Sequence, residues 1–185
     1  MVKSILTHFE EAMLRIGNLR NGYRADRVNG QTSTELCSLD FDLDNIFKHV
    51  PRFPDMDLVH GNILDLCSEI STPLLSDYEK MTSVMIFLEQ TIREEDYYSG
   101  GQFTPDLGSM HDSIKQAMCL FQRLENRCIP SQSTRNSTDL LNNYEQTTAG
   151  KRYERDYLLV KDTHILLKGF WIKYNKCYEL FTNSF

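Results

Sequence analysis

Large apolar side chains recur near the end of the chain at alternating steps of four and three residues. They form the stripe Tyr153, Tyr157, Val160, His164, Leu167, Trp171, Tyr174, Tyr178 and Phe181. Such steps place side chains on one face of an α-helix. Leu159, Leu166, Phe170 and Cys177 form a second stripe beside the first. The pattern predicts a helix over residues 152–181 whose apolar face is broad enough to pack against two neighbours, with His164 as a core histidine.

Three earlier segments share the helical period. Residues 2–20 carry one apolar stripe, and residues 105–128 carry a nearly regular heptad. Residues 56–96 keep the period as well, but Thr72-Pro73 interrupts it, so we expect a kink at Pro73 or two consecutive helices. Because no segment alternates as a strand would, the predicted fold class is all-α, in a single domain over residues 1–185.

The connections between the predicted helices are long, short and long, at about 35, eight and 22 residues. A short connection makes consecutive helices antiparallel, whereas a long one can run the length of a bundle and start the next helix in the same direction. The lengths favour a four-helix bundle in up-up-down-down order with two long crossover loops, as in growth hormone and the helical cytokines. Long loops also occur in intracellular helical domains, so that alternative stays open.

The charge pattern excludes several partners. The net charge is −6 and the basic residues are scattered, whereas nucleic-acid binding needs a concentrated basic face. The sequence contains no run of about eighteen apolar residues, so it predicts no membrane-spanning helix. The first residues also lack the apolar segment and cleavage site of a signal peptide. We therefore expect a chain that binds neither nucleic acid nor the bilayer interior.

No motif of a known catalytic site is present. The sequence has no nucleotide-binding, nucleophile-elbow or metalloprotease motif, and its histidines and cysteines are isolated rather than at metal spacing. We therefore predict no catalytic residues, no cofactor and no metal site.

The five cysteines allow two interpretations. Cys37, Cys67, Cys119, Cys128 and Cys177 are an odd number, as expected for buried thiols of a cytosolic protein. In a secreted bundle, one or two disulfides would form and at least one thiol would stay free. A glycosylation sequon at Asn136, in a polar stretch, fits the second interpretation.

Two segments resemble helices of long-chain class I cytokines, in the interleukin-6 and interleukin-12 α-chain group. The run Ile165-Leu166-Leu167-x-Gly169-Phe170-x-Ile172-Lys173 is similar to the last helix of the interleukin-12 α-chain, and residues 107–124 are similar to third helices of the group. The resemblance implies a secreted ligand that binds and dimerises cell-surface receptors. It also implies that cytokine-receptor ectodomains, or a soluble receptor-like subunit, are the partners. An interferon or interleukin-10-type cytokine and an intracellular helical adaptor are the alternatives.

The resemblance also indicates which residues contact receptors. In the family, the exposed faces of the first and third helices bind a signal-transducing receptor, which here implies Arg15, Arg20, Lys115, Gln122 and Arg123. The start of the fourth helix often contacts a second receptor, which implies Tyr153 and Arg155.

Disulfide partners follow from the expected topology. In an up-up-down-down bundle, Cys67, Cys128 and Cys177 lie nearest the same pole, so two of them can form a bridge. A bridge from Cys37 to Cys177 is the alternative.

Overall fold

Four α-helices make up the computed structural model, which describes residues 2–23, 26, 71–125 and 149–182. They are α1 (Val2–Tyr23), α2 (Ser71–Ser99), α3 (Thr104–Glu125) and α4 (Ala149–Thr182). These described residues include no strand. The all-α prediction is therefore confirmed for this part of the chain.

The helix positions agree with the periodicity, with shifts at the ends. The predicted segment 56–70 and residues 126–128 lie outside the described residues, so the expected kink stays a prediction. Pro73 falls in the first turn of α2, where a proline is tolerated because its missing N–H has no intrahelical partner. The helix α4 begins three residues before the predicted start and ends one residue after the predicted end.

The helix α1 continues three residues beyond its predicted end because its last turn is buried. Tyr23 is fully buried and stacks on Phe103, with the ring centroids 4.3 Å apart. Gly22 permits this approach, since a Cβ atom there would lie 3.1 Å from the Phe103 ring. Tertiary packing thus extends a helix that the sequence Asn21-Gly22 appeared to end.

A four-residue turn joins α2 to α3. Gly100 and Gly101 both have positive φ, at 73° and 75°, and the Gly101 N–H donates to the carbonyl of Glu95 at 3.0 Å. This is the usual glycine-rich ending of a helix, in which the left-handed backbone satisfies terminal carbonyls. Thr104 Oγ1 donates to Asp96 Oδ1 at 2.6 Å and fixes the start of α3.

Each helix packs mainly against two others: α1 and α2 each contact α3 and α4. Most of the buried side chains between them are apolar. They include Ile5, Phe9, Ala12, Ile16 and Leu19 of α1, Met81, Val84 and Leu88 of α2, Leu107, Met110, Ile114 and Phe121 of α3, and Val160, Leu167 and Phe170 of α4.

Contacts of α1 with α4 run in opposite chain order along the two helices. Phe9, in the first half of α1, packs against Phe170 with ring centroids 5.9 Å apart. Arg20, near the end of α1, lies close enough to His164 to influence its pKa. Contacts therefore move towards the start of α4 as α1 proceeds.

The same reversal holds between α1 and α3. Phe9 lies 5.9 Å from Phe121, late in α3, and Tyr23 stacks on Phe103, just before α3 begins. The rings of Phe9, Phe121, Phe170 and Tyr174 form one aromatic cluster across three helices.

Contacts of α2 with α3 are also reversed. Gln122 Nε2 donates to Tyr78 Oη at 2.6 Å, while His111 Nε2 lies 3.5 Å from Glu89 Oε1. Early residues of α2 thus contact late residues of α3.

The packing of α2 against α4 is the least extensive of the four helix pairs, and buried ion pairs lie at both ends of it. Lys173 Nζ donates to Asp77 Oδ2 at 2.6 Å, and Arg155 Nη2 donates to Glu94 Oε2 at 2.7 Å. Tyr174 Oη also donates to Asp77 Oδ2 at 2.6 Å.

Candidate binding surfaces

The five residues predicted on α1 and α3 do not share one surface. Arg15, Lys115 and Arg123 are exposed, as a receptor contact requires. Gln122 is exposed as well, but its side-chain amide donates to Tyr78 of α2. Arg20 is half-buried and faces α4, since it affects the pKa of His164.

Helical spacing divides these candidates further. Lys115 precedes Gln122 by seven residues and so lies on the same side of α3, next to α2. The predicted residues thus occupy at least two sides of the bundle, because the resemblance indicated helices but not the rotation of each helix.

Arg155, which the resemblance implied as a receptor contact, is buried and therefore cannot be one. It is 1% exposed. Its guanidinium donates to Glu94 Oε2 and, through Nε and Nη2, to Asp156 Oδ1 at 2.9 and 2.6 Å. Thr91 Oγ1 also donates to Asp156 Oδ1, at 3.3 Å. The group is a buried network that links α2 to the start of α4.

The Asp156 carboxyl in this network has a perturbed pKa. The pKa of Asp156 is raised from 3.8 to about 6, and burial is the main cause. The charge and the hydrogen bonding of Arg155 oppose this rise, the charge of Glu94 adds to it, and the hydrogen bond from Thr91 opposes it. Two carboxylates, those of Glu94 and Asp156, pair with the single Arg155 guanidinium, so the network has one more acidic group than basic groups. Arg155, Asp156 and Thr91 are all buried, so the network lies inside the bundle between α2 and α4.

The predicted residue Tyr153 belongs to an aromatic surface at the end of α2 and the start of α4. Its hydroxyl lies 3.5 Å from Ser99 Oγ. Tyr97 and Tyr98 are 81% and 56% exposed, with ring centroids 4.6 Å apart in an edge arrangement. The Arg152 guanidinium lies 4.1 Å from the centroid of Tyr98. We refer to Tyr97, Tyr98, Arg152 and Tyr153 as the tyrosine end.

Sequence reasoning missed two tyrosines of this surface. Tyr97 and Tyr98 directly precede the paired glycines that end α2. Tyr97 falls off the buried face of that helix, whereas Tyr98 follows the buried Thr91 by seven residues. The available signal was Tyr97, a large aromatic side chain outside the stripe of an amphipathic helix.

The described cysteines differ from each other. Cys119 is an exposed, free thiol on α3. Cys177 is buried on α4 and is not among the free thiols. Cys37, Cys67, Cys128 and the sequon residue Asn136 lie outside the described residues.

Two further properties of the described helices concern membranes and metal ions. None of these helices is long and apolar enough to cross a membrane. Within residues 2–23, 26, 71–125 and 149–182, no group of three or more histidine, cysteine or acidic side chains could hold a metal ion.

Comparison of the chain with protein-family models, curated proteins and solved structures gave no match.

Proposed function

We propose that the chain is a secreted helical cytokine that binds and dimerises cell-surface receptors. The observation that carries the proposal is the order of helix contacts. Both α1 and α2 contact α3 and α4, and the contacts in all four pairs run in opposite chain order. Two helices that are each antiparallel to the same third helix are parallel to each other.

This order supports an up-up-down-down bundle, in which α1 and α2 point one way and α3 and α4 the other. The segments 24–70 and 126–148 would then be the two long crossover connections, while the turn at Gly100 and Gly101 reverses the chain. Among helical bundles, two crossovers of this kind occur in growth hormone and the cytokines. The similarity of α3 and α4 to the interleukin-6 and interleukin-12 α-chain group supports the same proposal.

The tyrosine end is our proposed receptor contact. Tyrosine and arginine are enriched among the residues that dominate binding energy at protein interfaces. An exposed tyrosine pair with an arginine against one ring offers apolar area, hydroxyl groups and a cation in one place. The partner would be a cytokine-receptor ectodomain or a soluble receptor-like subunit, with Arg15, Lys115 and Arg123 as candidates for a second contact.

Secretion would also explain the buried cysteine. We propose that Cys177 forms a disulfide with Cys37, Cys67 or Cys128, and that Asn136 carries a glycan. A chain with two disulfides would leave Cys119 as its free thiol. Thiol titration of the unreduced protein in denaturant would then find one reactive group, whereas five reactive groups would contradict secretion.

One observation favours a rival function. An exposed, unpaired thiol such as Cys119 is more typical of a protein kept in a reducing compartment. An intracellular helical adaptor would use the same tyrosine end for another protein partner. Such an adaptor would show all five thiols and bind no receptor ectodomain.

Surface plasmon resonance against a panel of cytokine-receptor ectodomains tests the leading proposal. We expect at least one ectodomain to bind, and the double variant Tyr97→Ala with Tyr98→Ala to weaken that affinity about 30-fold, which corresponds to about 2 kcal/mol. The variant Leu14→Ala is the matched control, because Leu14 is 71% exposed elsewhere, on α1. If no ectodomain of the panel binds, the result contradicts the cytokine function. If the double variant binds as tightly as the unchanged protein, the tyrosine end is excluded as the receptor contact.

A further inference from the structure

A second surface lies where α1 and α4 meet, farther along α4 than the tyrosine end. Three residues from each helix recur there at steps of four and three. We refer to them as the α1–α4 face: Met13, Gly17 and Arg20 of α1, and His164, Lys168 and Trp171 of α4. Lys168 is exposed and the other five are half-buried, so the face is accessible to a partner.

One end of the α1–α4 face is apolar, with a fixed indole ring and open space above α1. Trp171 Nε1 donates to Glu10 Oε1 at 3.0 Å, which fixes the indole ring against α1, and both Trp171 and Met13 pack against the core. Gly17 leaves space above the helix, since a Cβ atom there would meet nothing within 4 Å. A partner side chain can therefore approach the backbone of α1 closely at Gly17.

The other end of the face concentrates positive charge. Burial lowers the pKa of His164, and the nearby charges of Arg20 and Lys168 lower it further, so the three groups form one cluster. His164 Nδ1 is buried and has no hydrogen-bond partner among the residues that the structure describes. The expectation of a satisfied core histidine is thus wrong, because the side chain is half-buried and one ring nitrogen is unpaired.

The cations of this cluster lack acidic partners among the described residues. Neither Arg20 nor Lys168 forms an ion pair or hydrogen bond with a described side chain. Two other cations on α4 contrast with them, because Arg155 and Lys173 are each paired with a carboxylate. The chain as a whole carries a net charge of −6, so this cluster is locally opposite in sign to the molecule.

We propose that the α1–α4 face binds an acidic segment of a partner protein. A carboxylate would lie between Arg20 and Lys168, and an apolar side chain beside it would pack on Trp171 and Met13. Complementary charge directs such an encounter, and tryptophan and arginine are favoured at the energetic centre of interfaces. A carboxylate there would also reduce the repulsion that Arg20 and Lys168 exert on His164.

A protein segment fits this face better than a sulfated polysaccharide or nucleic acid. Polyanions need an extended row of cations, whereas this cluster has two cations and one imidazole. The adjoining indole and Met13 instead suit an apolar side chain. The inference goes beyond the receptor proposal, since it requires only that the partner be a protein.

The experiment uses the full chain and a synthetic peptide in which four glutamates flank one leucine. Trp171 is the only tryptophan, so its fluorescence reports on this face alone. At low salt of about 20 mM, we expect a saturable change, and the variant Arg20→Gln with Lys168→Gln should weaken binding about tenfold or more. The matched control is Arg15→Gln with Lys176→Gln, because it removes two exposed charges from the same helices.

An NMR titration of the His164 ring checks the cluster without any ligand. In Arg20→Gln with Lys168→Gln, the pKa of His164 should rise towards its ordinary value, and far-UV circular dichroism should stay unchanged. Four results would overturn the proposal: no peptide response, equal weakening by the control variant, an unchanged His164 pKa, or tighter binding of a heparin fragment than of the peptide. None of them bears on the receptor panel, so the two proposals fail separately.

Discussion

Replacing Asp156 by asparagine should stabilise the protein at neutral pH, although the substitution removes a negative charge next to an arginine. Burial raises the pKa of Asp156 to about 6, which means that the folded protein favours the neutral carboxyl. Arg155 keeps a second carboxylate, because its Nη2 donates to Glu94 at 2.7 Å. The asparagine Oδ1 can accept the hydrogen bonds that Arg155 and Thr91 now donate to Asp156.

The pKa sets the size and the sign of the effect. A rise from 3.8 to about 6 corresponds to about 3 kcal/mol between the charged and neutral forms. The native state binds the Asp156 proton more tightly than the unfolded state does. The stability contributed by this protonation is therefore fully present below pH 4 and is lost as the pH rises through about 6. Asparagine, which mimics the neutral form, should therefore gain about 3 kcal/mol at pH 7.5 and about 1 kcal/mol at pH 4.5.

Urea denaturation followed by circular dichroism at both pH values measures this difference. Asp77→Asn is the matched control, since Asp77 pairs with the buried Lys173 and has no second acid beside it in the described ion pairs. Losing that charge leaves Lys173 buried and uncompensated, so we expect a loss of about 3–5 kcal/mol. The reasoning is refuted if Asp156→Asn is destabilising at pH 7.5, or if its effect does not change with pH.

Three further substitutions test the packing. Thr163→Val should stabilise the protein by about 1 kcal/mol because the Thr163 hydroxyl is buried with no hydrogen-bond partner in the described part of the chain. Thr82→Val should not stabilise it, since that hydroxyl donates to a backbone carbonyl, and thermal unfolding compares the two variants. Phe9→Ala should lower the free energy of unfolding, measured with urea, by about 3–5 kcal/mol because the ring is fully buried. Leu14→Ala should lower it by less than about 0.5 kcal/mol, since Leu14 is exposed. Similar losses in the two variants would contradict the assigned core. Gly101→Ala should cost about 1 kcal/mol or more, because φ is +75° and the new Cβ would lie 2.9 Å from a carboxylate oxygen; an unchanged midpoint would argue against this turn.

Helical periodicity predicted the described helices well because each carries a local signal. Buried residues such as Phe9, Phe121 and Phe170 recur at three- and four-residue steps, and those steps are visible without any tertiary information. The end of α1 was predicted less well. Its last turn depends on Tyr23 stacking on Phe103, and no local pattern reports a contact across 80 residues of sequence.

The candidate site was predicted less completely than the fold. Tyr153 lies at the tyrosine end, yet Arg155, two residues later, is buried, because a helix turns by about 200° over two residues. Whether a charged side chain at that position faces solvent depends on Glu94, which lies on another helix. Sequence reasoning predicted a contact at the start of α4 and could not distinguish an exposed residue from a member of an internal ion pair.

The two ion pairs between α2 and α4 connect the buried interior to the proposed receptor contact. The spans 77–94 and 155–173 are each about 26 Å long at 1.5 Å per residue, so both pairs form at one alignment of the two helices. A shift of one turn would separate both pairs at once and leave buried charges unpaired, which specifies the alignment more strictly than apolar packing does.

That alignment positions the tyrosine end. Ser99 meets Tyr153, and Tyr98 meets Arg152, about one turn beyond the Glu94–Arg155 pair. Each contact joins the end of α2 to the start of α4, so both depend on the helices holding their relative position. A variant of Arg155 that weakens receptor binding would therefore act through the placement of the exposed tyrosines, because Arg155 itself is buried and cannot touch a receptor.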